Sequence, residues 1–168
     1  MPERLRSQAI AMPNAIYIRR DHPQSDYAAR LLRQRAGAFL TALDLQDVEL
    51  SISLVDDTAI AQLNAEWRHK PQPTDVLSFP AGELPPVPGL PRPLGDVVIS
   101  LDTARRRARE EGVTLASELS RYLAHGLLHL LGHDHQTPEE ARAMSRAEQS
   151  LLGADGQGML AQSPELED

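Results

Sequence analysis

Residues 115–135 have the sequence LASELSRYLAHGLLHLLGHDH, which combines the pattern of a buried helix with a cluster of histidines. Leucines recur at helical spacing up to Leu131, and this periodicity predicts a helix over Leu115–Leu131 that packs against a core. Gly132 follows, and glycine most readily adopts the left-handed conformation with which many helices end. The chain is therefore expected to leave the helix here and to reverse its direction.

The segment HGLLHLLGHDH, residues 125–135, contains four of the six histidines. At about 100° per residue, His125 and His129 differ by roughly 40° in direction, so they share one helical face. A chain reversal after Gly132 can add His135 as a third nitrogen ligand. Three histidines with a fourth position open to water are typical of a catalytic zinc site. We predict that His125, His129 and His135 bind one Zn²⁺ at the end of a helix in a metal-dependent hydrolase.

Two residues inside this cluster allow alternative interpretations. His133 could be a fourth ligand, although an imidazole that faces away from the ion is favoured. Asp134 could orient a ligand histidine by a hydrogen bond, or it could only form a turn. Because the chain has no cysteine, it has no thiolate ligand, disulfide or cysteine nucleophile.

The spacing H-x-x-x-H-x-x-G-x-x-H also occurs in metzincin proteases, where a glutamate after the first histidine acts as general base. Here that position is Gly126. A peptidase of this type would lack its proton acceptor, so proteolysis is the second choice unless Asp134 or another carboxylate replaces the glutamate. The missing side chain could also let a bulky group, such as a backbone phosphate, approach the metal.

The flanking segments alternate between strand and helix patterns. VELSISLV at Val48–Val55 alternates with a period of two, which predicts a strand. Further strands are predicted at Ala15–Ile18, Val76–Phe79 and Asp96–Ser100. Helices are predicted at Ser25–Leu43, from Asp56 or Asp57 to Trp67, at Leu101–Glu111 and at Pro138–Leu152. Thr137 is the predicted cap of the last helix. The fold class is accordingly α/β or α+β, with a small sheet covered by helices.

A chain of 168 residues has the length of one domain, and we assign residues 1–152 to it. Residues 80–95, PAGELPPVPGLPRPLG, are rich in proline. Since proline is excluded from helix interiors and from most central strands, we predict a long surface excursion there. Residues 153–168 are predicted to be a polar, acidic and frayed tail.

Composition favours a globular protein, with 41% hydrophobic and 24% charged residues. The first residues contain no signal-like apolar core, and no apolar run approaches 18 residues, so we expect a cytoplasmic protein. The net charge of −7 would repel a polyanion at long range, although a local basic surface can still act. The densest basic run is Arg105, Arg106, Arg107 and Arg109, which is either a solvated helix face or an RNA-backbone contact.

The histidine segment resembles the signature of the YbeY family of bacterial rRNA maturation factors, in which tyrosine usually stands in place of His133. Other parts of the chain resemble the remaining motifs of that family in order and spacing. These are Leu63, Asn64 and Arg68, then TDVLSFP at residues 74–80, and then GDVVIS at residues 95–100.

This resemblance implies a zinc-dependent, single-strand-specific endoribonuclease that acts in 16S rRNA 3′-end maturation and ribosome quality control. It also implies three layers, with a mixed four-stranded sheet between helices. The zinc ligands would be His125, His129 and His135, and the conserved arginine of the family would be Arg68. Expected partners are rRNA or other single-stranded RNA and the ribosome or its proteins, with no membrane and no DNA. An assembly factor with a structural zinc remains an alternative.

Arg68 is the candidate catalytic residue, because a guanidinium beside Zn²⁺ can stabilise the additional negative charge of a phosphodiester transition state. The alternative is a helix-end cation that only interacts with the helix dipole. Trp67 could stack a base, but core packing is the expectation. Asp75 could orient a ligand histidine or cap a turn, and the role of Asp96 is equally open.

Overall fold

The computed structural model describes residues 12–161, with side chains described as far as Gly153. Residues 1–11, on which part of the prediction about an export signal rests, lie outside the described residues. The same is true of residues 162–168 of the predicted tail. Within the described range, no helix has both the length and the apolar composition needed to cross a membrane.

Residues 12–161 form four strands and five helices. They are β1 (Ala15–Arg20), α1 (Asp26–Ala42), β2 (Val48–Val55), α2 (Asp57–Arg68), β3 (Val76–Pro80), β4 (Arg92–Ser100), α3 (Leu101–Glu111), α4 (Leu115–Leu130) and α5 (Pro138–Ala161). The sheet order is β1-β2-β4-β3, with β1, β2 and β4 parallel and β3 antiparallel to β4. The predicted mixed four-stranded sheet is confirmed.

The two faces of the sheet carry cores of very different size. On one face, strand residues such as Ile52 and Ile99 pack with α1, α3, α4 and α5 in the larger cluster, where α4 contributes Leu123 and Leu127. On the other face, a small cluster around Ile60 joins α2 to β3 and β4. This arrangement confirms the α/β class and makes α4 part of the main core.

The predicted helix starts agree with the capping contacts. The Asp56 side chain accepts a hydrogen bond from the Ala59 N–H (2.8 Å) at the start of α2. The Thr137 hydroxyl accepts one from the Glu140 N–H (3.1 Å) at the start of α5, as its position before Pro138 predicted. The helix α5 extends beyond its predicted end at Leu152 and reaches Ala161.

The prediction that all of residues 80–95 lie outside the sheet is wrong. β4 begins at Arg92, and it is an internal strand that includes Pro93 and Gly95. The pairing register with β2 shifts between Glu49 and Leu50, where β4 carries an extra residue. This bulge interrupts the regular hydrogen-bond ladder, and a proline without an N–H is tolerated at such a position. The excursion outside the strands is therefore limited to residues 81–91.

Gly95, next to this bulge, occupies a position that only glycine can fill. Its φ angle is +133°, and a Cβ atom there would lie 2.2 Å from the Phe79 carbonyl oxygen and 2.9 Å from the Ala81 nitrogen. Both atoms belong to the backbone, so neither can move aside without distorting β3. Gly95 thus permits the close pairing of the edge strand β3 with β4.

We expect Gly95→Ala to lower the free energy of unfolding by about 2–4 kcal/mol, because it combines an unfavourable φ with backbone overlap. Urea denaturation monitored by circular dichroism measures this change. Gly89→Ala is the matched control, since Gly89 also has a positive φ (+81°) but open space around its Cα. Equal destabilisation by the two substitutions would show that backbone overlap at Gly95 contributes nothing.

A polar network at the start of α2 and α3 centres on Asp57. Its carboxylate accepts hydrogen bonds from the hydroxyls of Ser100 (2.7 Å) and Thr103 (2.6 Å) and from the Arg106 guanidinium (3.1 Å). The Asp57 N–H donates to the Asp102 carboxylate (3.0 Å). Burial alone would raise the pKa of Asp57, but the three side-chain donors lower it below its ordinary value.

Because the folded-state pKa of Asp57 is lowered, the stability that its carboxylate contributes is present above about pH 4 and is lost as the pH falls further. Asp57→Asn should cost about 1–2 kcal/mol at pH 7 and progressively less below pH 4. Urea unfolding between pH 7 and pH 2 measures the difference. Asp96→Asn, at an exposed position, is the control; a cost for Asp57→Asn that does not change with pH would contradict the linkage.

Candidate metal centre

The helix α4 lies close against the sheet at Gly126. A Cβ atom at this position would lie 2.8 Å from Cγ1 of Val97 in β4 and 3.1 Å from the Ser78 hydroxyl in β3. The Ser78 hydroxyl donates to the Gly126 carbonyl (3.1 Å), which further ties the helix to the edge strand. The idea that the missing side chain leaves room for a phosphate is therefore wrong, because the sheet occupies that space.

The end of α4 redirects the chain as the glycine predicted. Gly132 has a φ angle of +96°. The His133 N–H donates to the Leu128 carbonyl and the Gly132 N–H to the His129 carbonyl, each at 3.0 Å. This pair of hydrogen bonds is the Schellman pattern of a helix C-terminus. It turns the chain back so that His135 lies beside the last turns of the helix.

His125, His129 and His135 come together as a group that could hold a metal ion. One ring nitrogen from each lies within 4.8 Å of those of the other two. The Nε2 atoms of His125 and His129 are 3.1 Å apart, and the ring centroids of His129 and His135 are separated by 5.3 Å. The three predicted ligands therefore lie close together in the structure.

The donor set fits a small divalent ion. Zinc–nitrogen bonds of about 2.0–2.1 Å in tetrahedral geometry place two ligand nitrogens about 3.3 Å apart. The observed 3.1 Å between His125 and His129 is close to this separation, and the spread of up to 4.8 Å requires only small side-chain rotations. Three imidazoles without a thiolate match the nitrogen-rich sites that zinc occupies.

Glu148 of α5 orients the first of these histidines. Its Oε1 atom lies 2.6 Å from Nδ1 of His125, and since a carboxylate only accepts, the Nδ1–H donates. This tautomer leaves the lone pair on Nε2 of His125 free for a metal ion. A carboxylate behind a ligand histidine also holds the ring orientation and increases the basicity of the ligand nitrogen.

Glu148 is not among the site residues predicted from the sequence, although a signal is present there. Met144 and Leu151 are buried on α5, and Glu148 lies four residues after the first and three before the second. A carboxylate therefore interrupts an apolar stripe at helical spacing. That interruption points to a buried polar partner, but the partner on α4 becomes identifiable only when the two helices are packed.

The middle histidine is held in the form that binds metals. Burial lowers the pKa of His129, and the neighbouring His125 and His135 lower it further, while the His133 backbone and Asp134 act in the opposite direction. The neutral imidazole is consequently favoured at neutral pH. Neutral imidazole is also the form in which histidine coordinates a metal.

A cleft of about 730 Å³ surrounds the three histidines and also includes Arg68, Arg121 and Glu148. Arg68 is the last residue of α2, where a cation interacts favourably with the helix dipole. It is exposed, and its side chain makes no hydrogen bond or ion pair within the described part of the chain. The guanidinium is thus free to contact a ligand in the cleft.

The structure distinguishes between several interpretations that the sequence left open. His133 lines the cleft but does not belong to the three-histidine group. The Asp134 carboxylate accepts from the His135 N–H (2.7 Å), so it forms a turn. Asp75 caps its own turn at the Val76 N–H (2.7 Å) and pairs with Arg107 (2.8 Å), without a hydrogen bond to a histidine.

The arginine run of α3 is neither a purely solvated face nor a free basic surface. Arg105 donates to the Gln24 side chain (2.8 Å), Arg106 to Asp57 and Arg107 to Asp75. These contacts tie α3 to the loops that contain Gln24 and Asp75 and to the start of α2. Among the four arginines, only Arg109 has a side chain without a hydrogen bond or ion pair to the described residues. Three of the four arginines are therefore engaged within the chain, and few of their donors remain for the RNA-backbone contact that the sequence left open.

Trp67 does not pack in the core, contrary to expectation. It lies on the last turn of α2 with 61% of its surface exposed. Its ring meets Phe79 of β3 edge-on, with 5.9 Å between the centroids. Trp67 follows Ile60 by seven residues and so lies on nearly the same helical face, but the small cluster around Ile60 does not include it at the last turn of the helix.

The mixed sheet and the three-histidine group at the C-terminal end of α4 define the class of α/β proteins with a histidine site suited to a metal ion. A family model described as Endoribonuclease YbeY matches residues 18–155. The chain belongs to the YbeY family, and the resemblance inferred from its motifs is confirmed.

Relatives named Endoribonuclease YbeY support this assignment. A protein from Myxococcus xanthus is 57% identical over 154 residues, covering 92% of this chain and 52% of its own length. One from Anaeromyxobacter dehalogenans is 59% identical over 136 residues, covering 81% of this chain and 69% of its own length. The chain thus spans about half to two thirds of the length of these relatives.

A solved structure shares the fold. The solution structure of a Thermotoga maritima protein aligns with a TM-score of 0.57 and 23% identity, covering 91% of this chain and 99% of that one. At this level of identity, the similarity concerns the arrangement of strands and helices.

We expect Glu148→Ala to weaken Zn²⁺ binding by about 10- to 100-fold, because His125 loses the partner that sets its tautomer and orientation. Glu148→Gln should have a smaller effect, since its amide oxygen can still accept. Competition with a chromophoric chelator measures both affinities. Glu140→Ala, at an exposed position of the same helix, is the control and should bind as the wild type does. Unchanged affinity in Glu148→Ala would remove Glu148 from the site.

Proposed function

We propose that this protein is a zinc-dependent endoribonuclease that cleaves single-stranded RNA. The observation that carries the proposal is the convergence of three imidazole nitrogens in an open cleft that also contains the unpaired Arg68 guanidinium. The family membership supports the same activity, because the relatives of this chain are named endoribonucleases.

Zinc is the proposed ion, held by His125, His129 and His135. An all-nitrogen set of three ligands leaves room for a fourth, exchangeable one, which is the arrangement of catalytic rather than structural zinc sites. When bound, the ion supplies Lewis acidity toward a phosphoryl oxygen and toward a water molecule. The exposure of His135 and the open cleft favour this catalytic role over a purely structural zinc in an assembly factor.

Arg68 is the proposed catalytic residue. Hydrolysis of a phosphodiester places additional negative charge on the non-bridging oxygens in the transition state. A guanidinium can donate two parallel hydrogen bonds to such oxygens, and these bonds strengthen as the charge develops. Arg68 is suited to this task because no described carboxylate competes for its donors, whereas Arg107 and Arg121 are paired with Asp75 and Glu118.

His125, His129 and Glu148 set the geometry of the proposed metal site before an ion binds. The burial of His129 keeps its imidazole neutral, and the Glu148 carboxylate holds the proton of His125 on Nδ1. Both effects direct nitrogen lone pairs toward the same point in the cleft. The ligand geometry is therefore set before an ion or a substrate arrives, which reduces the reorganisation needed during the reaction.

The packing at Gly126 argues against a metzincin-like peptidase. The general base of that mechanism would have to replace Gly126, where Val97 already lies within 2.8 Å of a Cβ position. The Asp134 carboxylate, the alternative base, holds the turn before His135 by accepting from the His135 N–H. We therefore assign the cleft to phosphodiester rather than peptide hydrolysis.

The proposed biological substrate is rRNA, with roles in 16S 3′-end maturation and ribosome quality control and with the ribosome or its proteins as partners. This part of the proposal follows from the family resemblance, as does a cytoplasmic location. The net charge of −7 requires that RNA be bound by local contacts, since the overall field of the protein repels a polyanion.

A cleavage assay with end-labelled single-stranded RNA tests the proposal. Arg68→Ala should retain one equivalent of zinc and lose about 100- to 1,000-fold in kcat, which is the usual effect of removing a transition-state donor. His129→Ala should lose both zinc and activity. Arg109→Ala, which removes an exposed and unpaired cation, is the matched control and should cleave normally.

Metal content is measured on each preparation, and casein and duplex RNA serve as alternative substrates. Zinc alone should restore activity to chelator-treated wild type. Cleavage of RNA by zinc-free His129→Ala, or full activity of Arg68→Ala, would contradict the proposed site.

A further inference from the structure

An aromatic pair made of the exposed Trp67 and the partly buried Phe79 lies next in the chain to residues of the histidine cleft. Trp67 is the residue before Arg68, and Phe79 is the residue after Ser78, while Arg68 and Ser78 both line the cleft. Consecutive Cα atoms are only about 3.8 Å apart. The pair is thus next to the cleft wall in the chain. Because successive side chains of a strand point to opposite faces, Phe79 lies on the face of the edge strand β3 that packs with α2, whereas Ser78 lies on the face toward α4.

Phe79 supports the Trp67 ring from one side. The two rings meet edge-on, with an interplanar angle of 66° and 5.9 Å between centroids, a favourable geometry for aromatic pairs. Phe79 is itself partly buried against the small cluster around Ile60. The indole is thus held in place by the core, while 61% of its surface remains in contact with solvent.

The surroundings of Trp67 favour a nucleobase over an apolar protein partner. Its neighbours in the chain are exposed and polar, namely Glu66, Arg68, His69 and Lys70. A protein-docking surface would require a contiguous apolar patch, whereas a base needs only one aromatic face. A single exposed ring with adjacent cations is the usual combination in sites that bind single-stranded nucleic acids.

We propose that Trp67, supported by Phe79, stacks one unpaired base of an RNA strand whose phosphate contacts Arg68. This inference rests on the proposed endoribonuclease function and adds a binding subsite to it. A base within a duplex is stacked on both faces and cannot lie flat against the indole. The subsite therefore selects single-stranded RNA by the availability of a base, without reading its sequence.

Intrinsic fluorescence provides a direct test, because Trp67 is the only tryptophan of the chain. Zinc-loaded wild-type protein is mixed with oligoadenylate in a stopped-flow instrument, so that the signal is recorded before turnover. A base stacked on the indole should quench its emission by about half or more. Inorganic polyphosphate of equal charge, which has no base, and a duplex of the same oligoadenylate should leave the emission nearly unchanged.

Affinities of the variants are measured by the anisotropy of fluorescein-labelled oligoadenylate. Trp67→Ala should weaken binding by about 5- to 100-fold, whereas Trp67→Phe, which retains an aromatic face, should remain within about threefold of the wild type. Tyr17→Ala is the matched control. Tyr17 is 57% exposed on β1, at the opposite edge of the sheet, and its loss should have no effect.

Equal quenching by polyphosphate or by duplex RNA would overturn the stacking site, as would wild-type affinity in Trp67→Ala. The two proposals fail in different ways. Quenching by oligoadenylate without any cleavage by the zinc-loaded protein supports the stacking site and refutes the nuclease. Normal cleavage of single-stranded RNA without quenching refutes the stacking site alone.

Discussion

The contact between Gly126 of α4 and Val97 of β4 is the constraint on which the site depends. Because no side chain separates the helix from the strand there, α4 lies against the junction of β4 and β3, and the Ser78 hydroxyl holds it from the edge strand. A rotation of the helix would drive a side chain into the sheet. The face that carries His125 and His129 is consequently held toward the cleft. Packing of the core therefore determines the direction of these two side chains.

Two further contacts convert this helical face into a three-ligand site. The left-handed turn at Gly132 returns His135 to the end of the helix, and Glu148 reaches across from α5 to set the tautomer of His125. α5 is anchored by Met144 and Leu151, which belong to the same core as α4. The ligand geometry and the hydrophobic core are therefore stabilised by the same helix packing, and a change in one is transmitted to the other.

Some arginine side chains stabilise the fold, whereas Arg68 is available to contact a ligand. Three of the four arginines of α3 contact Gln24, Asp57 or Asp75, so they join α3 to the neighbouring loops and to the start of α2. Arg68, in contrast, remains unpaired beside the histidines, and Trp67 lies next to it in the chain. For an acidic protein, such a local site allows contact with RNA without a basic surface over the whole molecule.

The sequence by itself determined the features that depend on neighbouring residues. Helical periodicity placed His125 and His129 on one face, Gly132 predicted the turn, and the order of strands and helices followed from local patterns. Tertiary structure decided what depends on distant partners. Pro93 lies in an internal strand because a bulge against β2 accommodates it, and Glu148 contacts His125 because α4 and α5 pack together. Trp67 is exposed, although it shares the helical face of Ile60, because the small cluster under α2 does not extend to the last turn of the helix. Local patterns encode backbone conformation and side-chain direction, whereas the partner of a side chain is set by long-range packing.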